Sequence, residues 1–240
     1  VVLGPAINIK RSPLCGRNFE YFSEDPYLTG ILGSEYIRGL QGMGVGACVK
    51  HFAVNNQENR RRTINAVVDE RALREVYLRA FELIVKNSKP WSVMSAYNRV
   101  NGEYCSENQH LLKEILRNEW MFDGIVISDW GAENDRVKGL LASHELEMPG
   151  GRGNGAKEIV LSVKSGKVPE SVLDDAVDRI IDVAIKGQQA SMKISSSMGK
   201  KSDLGKKICT LNYVSGANLS IIKWSIMRLQ ERLPKRQLFY

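Results

Sequence analysis

Nowhere in the 240 residues do 18 apolar residues run together, so no membrane-spanning helix is expected. Val1 is no initiator Met, and no charged n-region with an apolar h-region follows it; any signal peptide would lie upstream of this sequence. Cys15, Cys48, Cys105 and Cys209 stand far apart without a CxxC pair, which argues against a zinc site and against a dense disulfide framework. Buried thiols are the expectation. The chain has neither a Walker loop nor GxGxxG, so nothing in it is read as a phosphate cradle, and no cluster has metal-ligand spacing. No metal and no cofactor are called for.

Excess charge is also missing from most of the chain. The net charge is +7, but residues 190–240 hold 10 Lys and Arg against 2 Asp and Glu, leaving 24 basic and 25 acidic residues in 1–189. The basic character therefore belongs to the tail and says little about the main domain's ligand. Ser191–Asp203, rich in Ser, Lys and Gly, reads as a linker. Leu219, Ile222, Ile226, Leu229 and Leu233 then recur at helical spacing before Pro234. Such a basic amphipathic helix suits a membrane surface or nucleic acid, but docking on its own protein is the more common use, and neither membrane nor nucleic acid is expected as a partner. The division is 1–188 as the main domain and 189–240 as linker and tail.

What is present is a rhythm. Short apolar runs read as strands: Val1–Leu3, Val45–Val49, Trp91–Ala96 and the stretch Gly124-Ile125-Val126-Ile127. Between them lie helical patterns. Ser23-Glu24-Asp25-Pro26 starts a helix to about residue 41 with Leu28, Ile31, Leu32, Tyr36 and Leu40 on one face. Asp69-Glu70 opens one to about Lys86, and others follow near 107–120, 135–141, 156–165 and 169–185. Strand and helix alternate about five times, the pattern of a parallel α/β sheet. A full (β/α)8 TIM barrel takes about 250 residues. Here about 190 follow the pattern, so a partial barrel is expected.

The strands deliver chemistry at one edge: Lys50-His51, Tyr97, Asp129-Trp130 and Glu147 all follow apolar runs. In α/β sheets the C-terminal strand ends carry the site. Cations from Arg17, Lys50 and His51 near Asp129 would keep it ionised, as a nucleophile requires. Arg, Lys and His donors suit a ligand with several hydroxyls, and Trp130 offers a platform for a sugar face. The competing reading of Asp129 is a cap for the next helix.

These residues also carry a resemblance. Gly16-Arg17-Asn18-Phe19-Glu20, Ser23-Glu24-Asp25-Pro26-Tyr27-Leu28, Lys50-His51-Phe52-Ala53, Asn56-Gln57-Glu58 with Arg61, Asp69-Glu70-Arg71-Ala72-Leu73-Arg74-Glu75, Met94-Ser95-Ala96-Tyr97-Asn98, Ser128-Asp129-Trp130-Gly131 and Leu146-Glu147-Met148-Pro149-Gly150 appear in order. Over residues 1–188 the chain resembles the glycoside hydrolase family 3 β-glucosidases. The resemblance implies a retaining hydrolase of β-glucosides with Asp129 as nucleophile and a carbohydrate as partner. It makes Arg17, Lys50 and His51 the grip on the sugar hydroxyls, and Tyr97 the aromatic beside the nucleophile. Trp130 becomes a subsite wall, Met94 a substrate-binding position, and Arg61 with Glu58 a pair that holds its loop.

Three departures accompany it. The family's barrel begins about a hundred residues earlier. Ser143 and Glu145 stand where the family has Gly and Asp, with His144 between them expected as a bystander. The general acid/base belongs to a second domain that nothing after Ile208 resembles. Two alternatives stay open: a non-catalytic sugar-binding or partner-binding remnant, and a β-N-acetylhexosaminidase of the same family. Against the latter, Ala53-Val54-Asn55-Asn56 stands where that group has Pro-Gly-His-Gly.

Overall fold

The structure, a computed structural model, describes residues 1–150 and 154–197. Its centre is a parallel sheet in which β1 (Cys48–Phe52) pairs with β3 (Ser92–Ser95) and β3 with β6 (Ile125–Ser128). Val2 bridges to Ala47 and Ala6 to Lys50 on one edge, and Ile127 bridges to Leu146 on the other, all parallel. Five successive stretches thus run side by side in chain order, the arrangement of part of a TIM-like barrel wall. A second small sheet, made of β2 (Asn65–Ala66), β4 (Arg99–Val100) and β5 (Glu103–Tyr104), sits beyond the strand ends.

Side chains alternate across the strands and so serve two cores. Val49, Val93 and Val126 join a helical layer of Ile37, Phe81, Ile84, Leu111, Ile115 and Leu116, in which Phe52 meets Phe81 edge-on at 5.1 Å. On the other face Cys48, Met94, Ile125 and Ile127 cluster with Val183, and Ile180 packs against them. The helical layer is built by α1 (Pro26–Gly42), by α2 (Glu70–Ala72), a π-helical turn over Leu73–Tyr77 and α3 (Arg79–Ser88), and by a π-helix over His110–Glu119. Helices α4 (Arg136–Leu141), α5 (Asn154–Lys164) and α6 (Glu170–Ser197) follow.

The start of α1 is as expected: Asp25 accepts from the Tyr27 amide at 2.7 Å and Pro26 opens the first turn. Its packing face is not. Thr29, Gly30, Gly33, Ser34 and Ile37 are buried, whereas Leu28, Leu32 and Tyr36 are exposed. A Cβ on Gly33 would lie 2.5 Å from Ile84 Cδ1, so the small residues let α1 approach α3 closely, and that contact outweighs the larger apolar stripe.

Strand β1 also differs. It runs to Phe52 rather than ending at Val49, because the Lys50 amide donates to Pro5 (3.0 Å) and Lys50 O accepts from Ile7 (2.8 Å), which continues the ladder. Lys50 and His51 therefore lie inside the strand. Helix α6 extends to Ser197, into the stretch expected as a linker. The amphipathic pattern over 219–233 lies outside the described residues.

Glu145, one of the departures, is a buried hub. It accepts from Arg117 Nη2 and from the Val126 amide, both at 2.7 Å, and Arg179 of α6 reaches its other oxygen at 3.2 Å. Arg117 also donates to the carbonyls of Phe122 (2.8 Å) and Gly124 (2.6 Å), so every buried charge in the hub has partners.

Candidate active site

Asp129 leaves the end of β6 with its amide donating to Ser95 O at 3.3 Å, which fixes its height relative to β3. The chain then turns: Ala132 N donates to Asp129 O (3.0 Å), and Gly131, at φ 69°, takes a conformation that a side chain disfavours. The Trp130 amide donates to Asp129 Oδ1 at 2.8 Å. The helix-cap reading of Asp129 fails, because Asp135 caps α4 by accepting from the Lys138 amide. One side of the Asp129 carboxylate stays accessible, the side chain being 14% exposed.

His51 faces it, with Nε2 lying 3.6 Å from Asp129 Oδ2. Asn8 holds His51 by both backbone groups, accepting from its amide at 2.8 Å and donating to its carbonyl at 2.9 Å. Burial, reinforced by the positive charges of Arg17, Lys50 and Arg61, keeps the imidazole pKa well below the usual histidine range. His51 is therefore neutral at physiological pH, and its buried Nδ1 has no hydrogen-bond partner among the described residues.

Arg17 and Lys50 come from separate segments, a turned loop and β1, and meet on one carboxylate. Glu20 takes Arg17 on Oε1 and Lys50 on Oε2, the latter at 3.7 Å. Arg61 pairs with Glu58 at 2.7 Å and stacks on the Tyr97 ring at 4.7 Å. The Tyr97 hydroxyl donates to Trp130 O at 2.9 Å. Burial first, and then the charge of Asp129, push the Tyr97 phenol pKa up. Trp130 remains 42% exposed at the outer margin.

Seven of the eight positions singled out in the sequence thus form one polar cluster around Asp129. Met94 lies elsewhere: it is buried in the apolar face with Cys48, Ile125 and Ile127. Two site neighbours escaped the sequence reading. Glu20 was visible only as part of a motif, although its i,i+3 spacing from Arg17 was a signal. Arg62, whose guanidinium sits 4.9 Å from the Tyr97 ring centre, was hidden in the run Arg60-Arg61-Arg62.

His144 is fully buried beneath this edge, 3.3 Å from Ser95 Oγ and 3.4 Å from Glu133 Oε1. Among the described residues no three His, Cys, Asp or Glu side chains are grouped as a metal would require, and no helix is long and apolar enough to cross a membrane.

Comparison with known proteins finds relatives over most of this chain. The chain is 62% identical over 183 residues to the thermostable beta-glucosidase B of Acetivibrio thermocellus, covering 76% of this chain and 24% of that protein. It is 48% identical over 196 residues to an exo-alpha-(1->6)-L-arabinopyranosidase of Bifidobacterium longum, covering 82% and 26%. Among solved structures, beta-glucosidase 3B from Thermotoga neapolitana, seen in complex with glucose, superposes with a TM-score of 0.76 at 52% identity, over 78% of this chain and 27% of that one. The chain therefore spans about a quarter of the length of these relatives. The profile of the glycosyl hydrolase family 3 N-terminal domain matches residues 1–183, and the chain belongs to that family.

Proposed function

We propose that this chain carries the nucleophile-bearing part of a retaining glycoside hydrolase that acts on β-glucosides. One observation supports this above the rest: among the described residues, no Lys or Arg pairs with the Asp129 carboxylate, unlike the other carboxylates of the cluster. Glu20 is tied to Arg17 and Lys50, and Glu58 to Arg61, whereas among the described residues Asp129 accepts the Trp130 amide and meets the Tyr97 hydroxyl and, at 3.6 Å, a neutral imidazole. The partly exposed carboxylate is available to a reacting carbon.

In this reading Asp129 attacks the anomeric carbon as the glycosidic C–O bond breaks, and the leaving alcohol takes a proton from a general acid. Water then attacks the same carbon, gives its proton to the conjugate base of that acid and releases Asp129, so configuration is retained. Arg17 and Lys50 donate to the sugar hydroxyls, and Glu20 holds the two cations side by side. His51 adds a neutral donor, so it places no further positive charge beside the carboxylate. Trp130 walls the outer side, and Met94 belongs to the apolar floor beneath. No carboxylate of this chain is assigned as the acid in this reading, so leaving groups that need no protonation suit the chain best.

The test is hydrolysis of 2,4-dinitrophenyl β-D-glucoside by the chain and by Asp129→Ala, with and without azide. The reading expects turnover by the unmodified chain, a loss of at least about a thousandfold in the variant, and azide rescue that yields α-glucosyl azide. Turnover that survives in Asp129→Ala would exclude Asp129 as nucleophile. Sugar binding without any turnover would favour a non-catalytic sugar-binding role.

A further inference from the structure

The cluster grades from inside to outside. Tyr97 is buried at 5% exposure, Asp129, Arg17 and Lys50 are 14–18% exposed at the side chain, and Trp130 and Arg62 are exposed. Two guanidiniums share the Tyr97 ring, Arg61 at 4.7 Å and Arg62 at 4.9 Å from its centre. Only Arg61 has a carboxylate, Glu58 at 2.7 Å; among the described residues Arg62 pairs with none. Arg60 beside it is exposed as well and also lacks a carboxylate partner there.

Tyr97 is itself fixed, since its hydroxyl is bonded to Trp130 O. Arg62 therefore rests, exposed and without a carboxylate partner among the described residues, on an anchored ring whose hydroxyl is bonded to the backbone of the rim residue Trp130. A stacked guanidinium has lost part of its freedom and keeps its in-plane N–H groups free, a geometry that matches a planar carboxylate. With a sugar seated against Asp129, Arg17 and Lys50, the rim is where a leaving group lies.

We propose that Arg62 forms a rim subsite for a carboxylate on the leaving-group side of a bound glycoside, so that this site selects anionic aglycones over neutral ones of the same shape. The inference rests on the glycoside reading of Asp129. It adds to it the substrate class and the residue that discriminates.

The test is calorimetric titration of the chain with 4-carboxyphenyl and with 4-carboxamidophenyl 1-thio-β-D-glucopyranoside, whose sulfur linkage resists cleavage. The carboxylate is expected to bind about fivefold more tightly, as a partly exposed charge pair allows. In Arg62→Met that ratio should fall to about one, and in Arg62→Glu below one. A ratio near one in the unmodified chain, or a preference that survives in both variants, overturns the rim subsite while leaving the glycoside reading intact. If neither ligand binds, both fail. If benzoate alone shows the same Arg62-dependent binding as the carboxylate glycoside, the anion site does not belong to the glycoside site and the inference falls.

Discussion

Asp129 and Asp135 sit on one loop and serve different ends. Asp135 caps α4, so Asp135→Ala should lower stability by about 1 kcal/mol in urea unfolding. Asp129 accepts one amide at a partly open position, so Asp129→Ala should cost less than that while removing hydrolysis of the dinitrophenyl glucoside. Equal losses of stability and activity in Asp129→Ala would contradict its role. Lys50→Ala, which removes the donor proposed for the sugar and leaves Glu20 with Arg17 alone, should lower kcat/KM by roughly tenfold or more. An unchanged kcat/KM would take Lys50 out of the site.

The histidines give the same residue scale a pH dependence. Burial holds both His51 and His144 well below the usual range. Unfolding frees each to take up a proton below about pH 6.5, so the native state loses stability as pH falls through that value, by up to about 1.4 kcal/mol per pH unit for each. Burial pushes Glu133 the other way, up to about 8, so its contribution falls as pH rises from about 4.5 to 8 and partly offsets the acid loss. His144→Asn cannot take up that proton. Urea unfolding between pH 5 and 6.5 should show a flatter acid limb in this variant than in the unmodified chain. An identical slope would mean that His144 is charged in the native state.

At the scale of elements, the site depends on how closely β3 and β6 approach. A Cβ at Gly124 would stand 2.4 Å from the Trp91 carbonyl, which accepts from the Ile125 amide, and 2.7 Å from the Phe122 ring. Gly124→Ala should therefore lower stability by more than about 2 kcal/mol and displace Asp129 with its strand, seen as a lower urea midpoint and weaker glucoside hydrolysis. A neutral outcome would show that β6 shifts freely.

The alternation of strands and helices, the start of α1 and the polar residues after β6 were legible in sequence, because each is written in local chemistry such as the cap at Asp25 or the apolar run before Asp129. The packing face of α1 was not. Periodicity selects large apolar residues, whereas Gly30 and Gly33 are buried by their closeness to Leu83 and Ile84 on a distant helix. The extent of β1 was hidden for a similar reason, since Lys50 and His51 are polar yet held in the ladder by Pro5, Ile7 and Asn8. Glu20 and Arg62 needed the fold as well, since only tertiary placement sets one between two cations and the other on Tyr97.

For the whole molecule, the described sheet is an arc of five stretches whose one face is covered by the helical layer and whose other receives Ile180 and Val183 of α6. Arg179 on the same helix reaches Glu145 in the buried hub, so α6 is tied to the sheet by charge as well as by apolar contact. The family match over residues 1–183 ends within this helix, and the cluster around Asp129 lies wholly inside the matched span. The central claim is that this arc holds a working nucleophile. Its most direct test is intact-mass analysis of the chain after incubation with 2,4-dinitrophenyl 2-deoxy-2-fluoro-β-D-glucoside, a substrate that needs little acid assistance to form the covalent intermediate. A mass gain of one fluoroglucosyl group, mapped to the peptide carrying Asp129 and missing in Asp129→Ala, is the expected result. A well-folded chain that gains no mass, or gains it equally without Asp129, would contradict the claim.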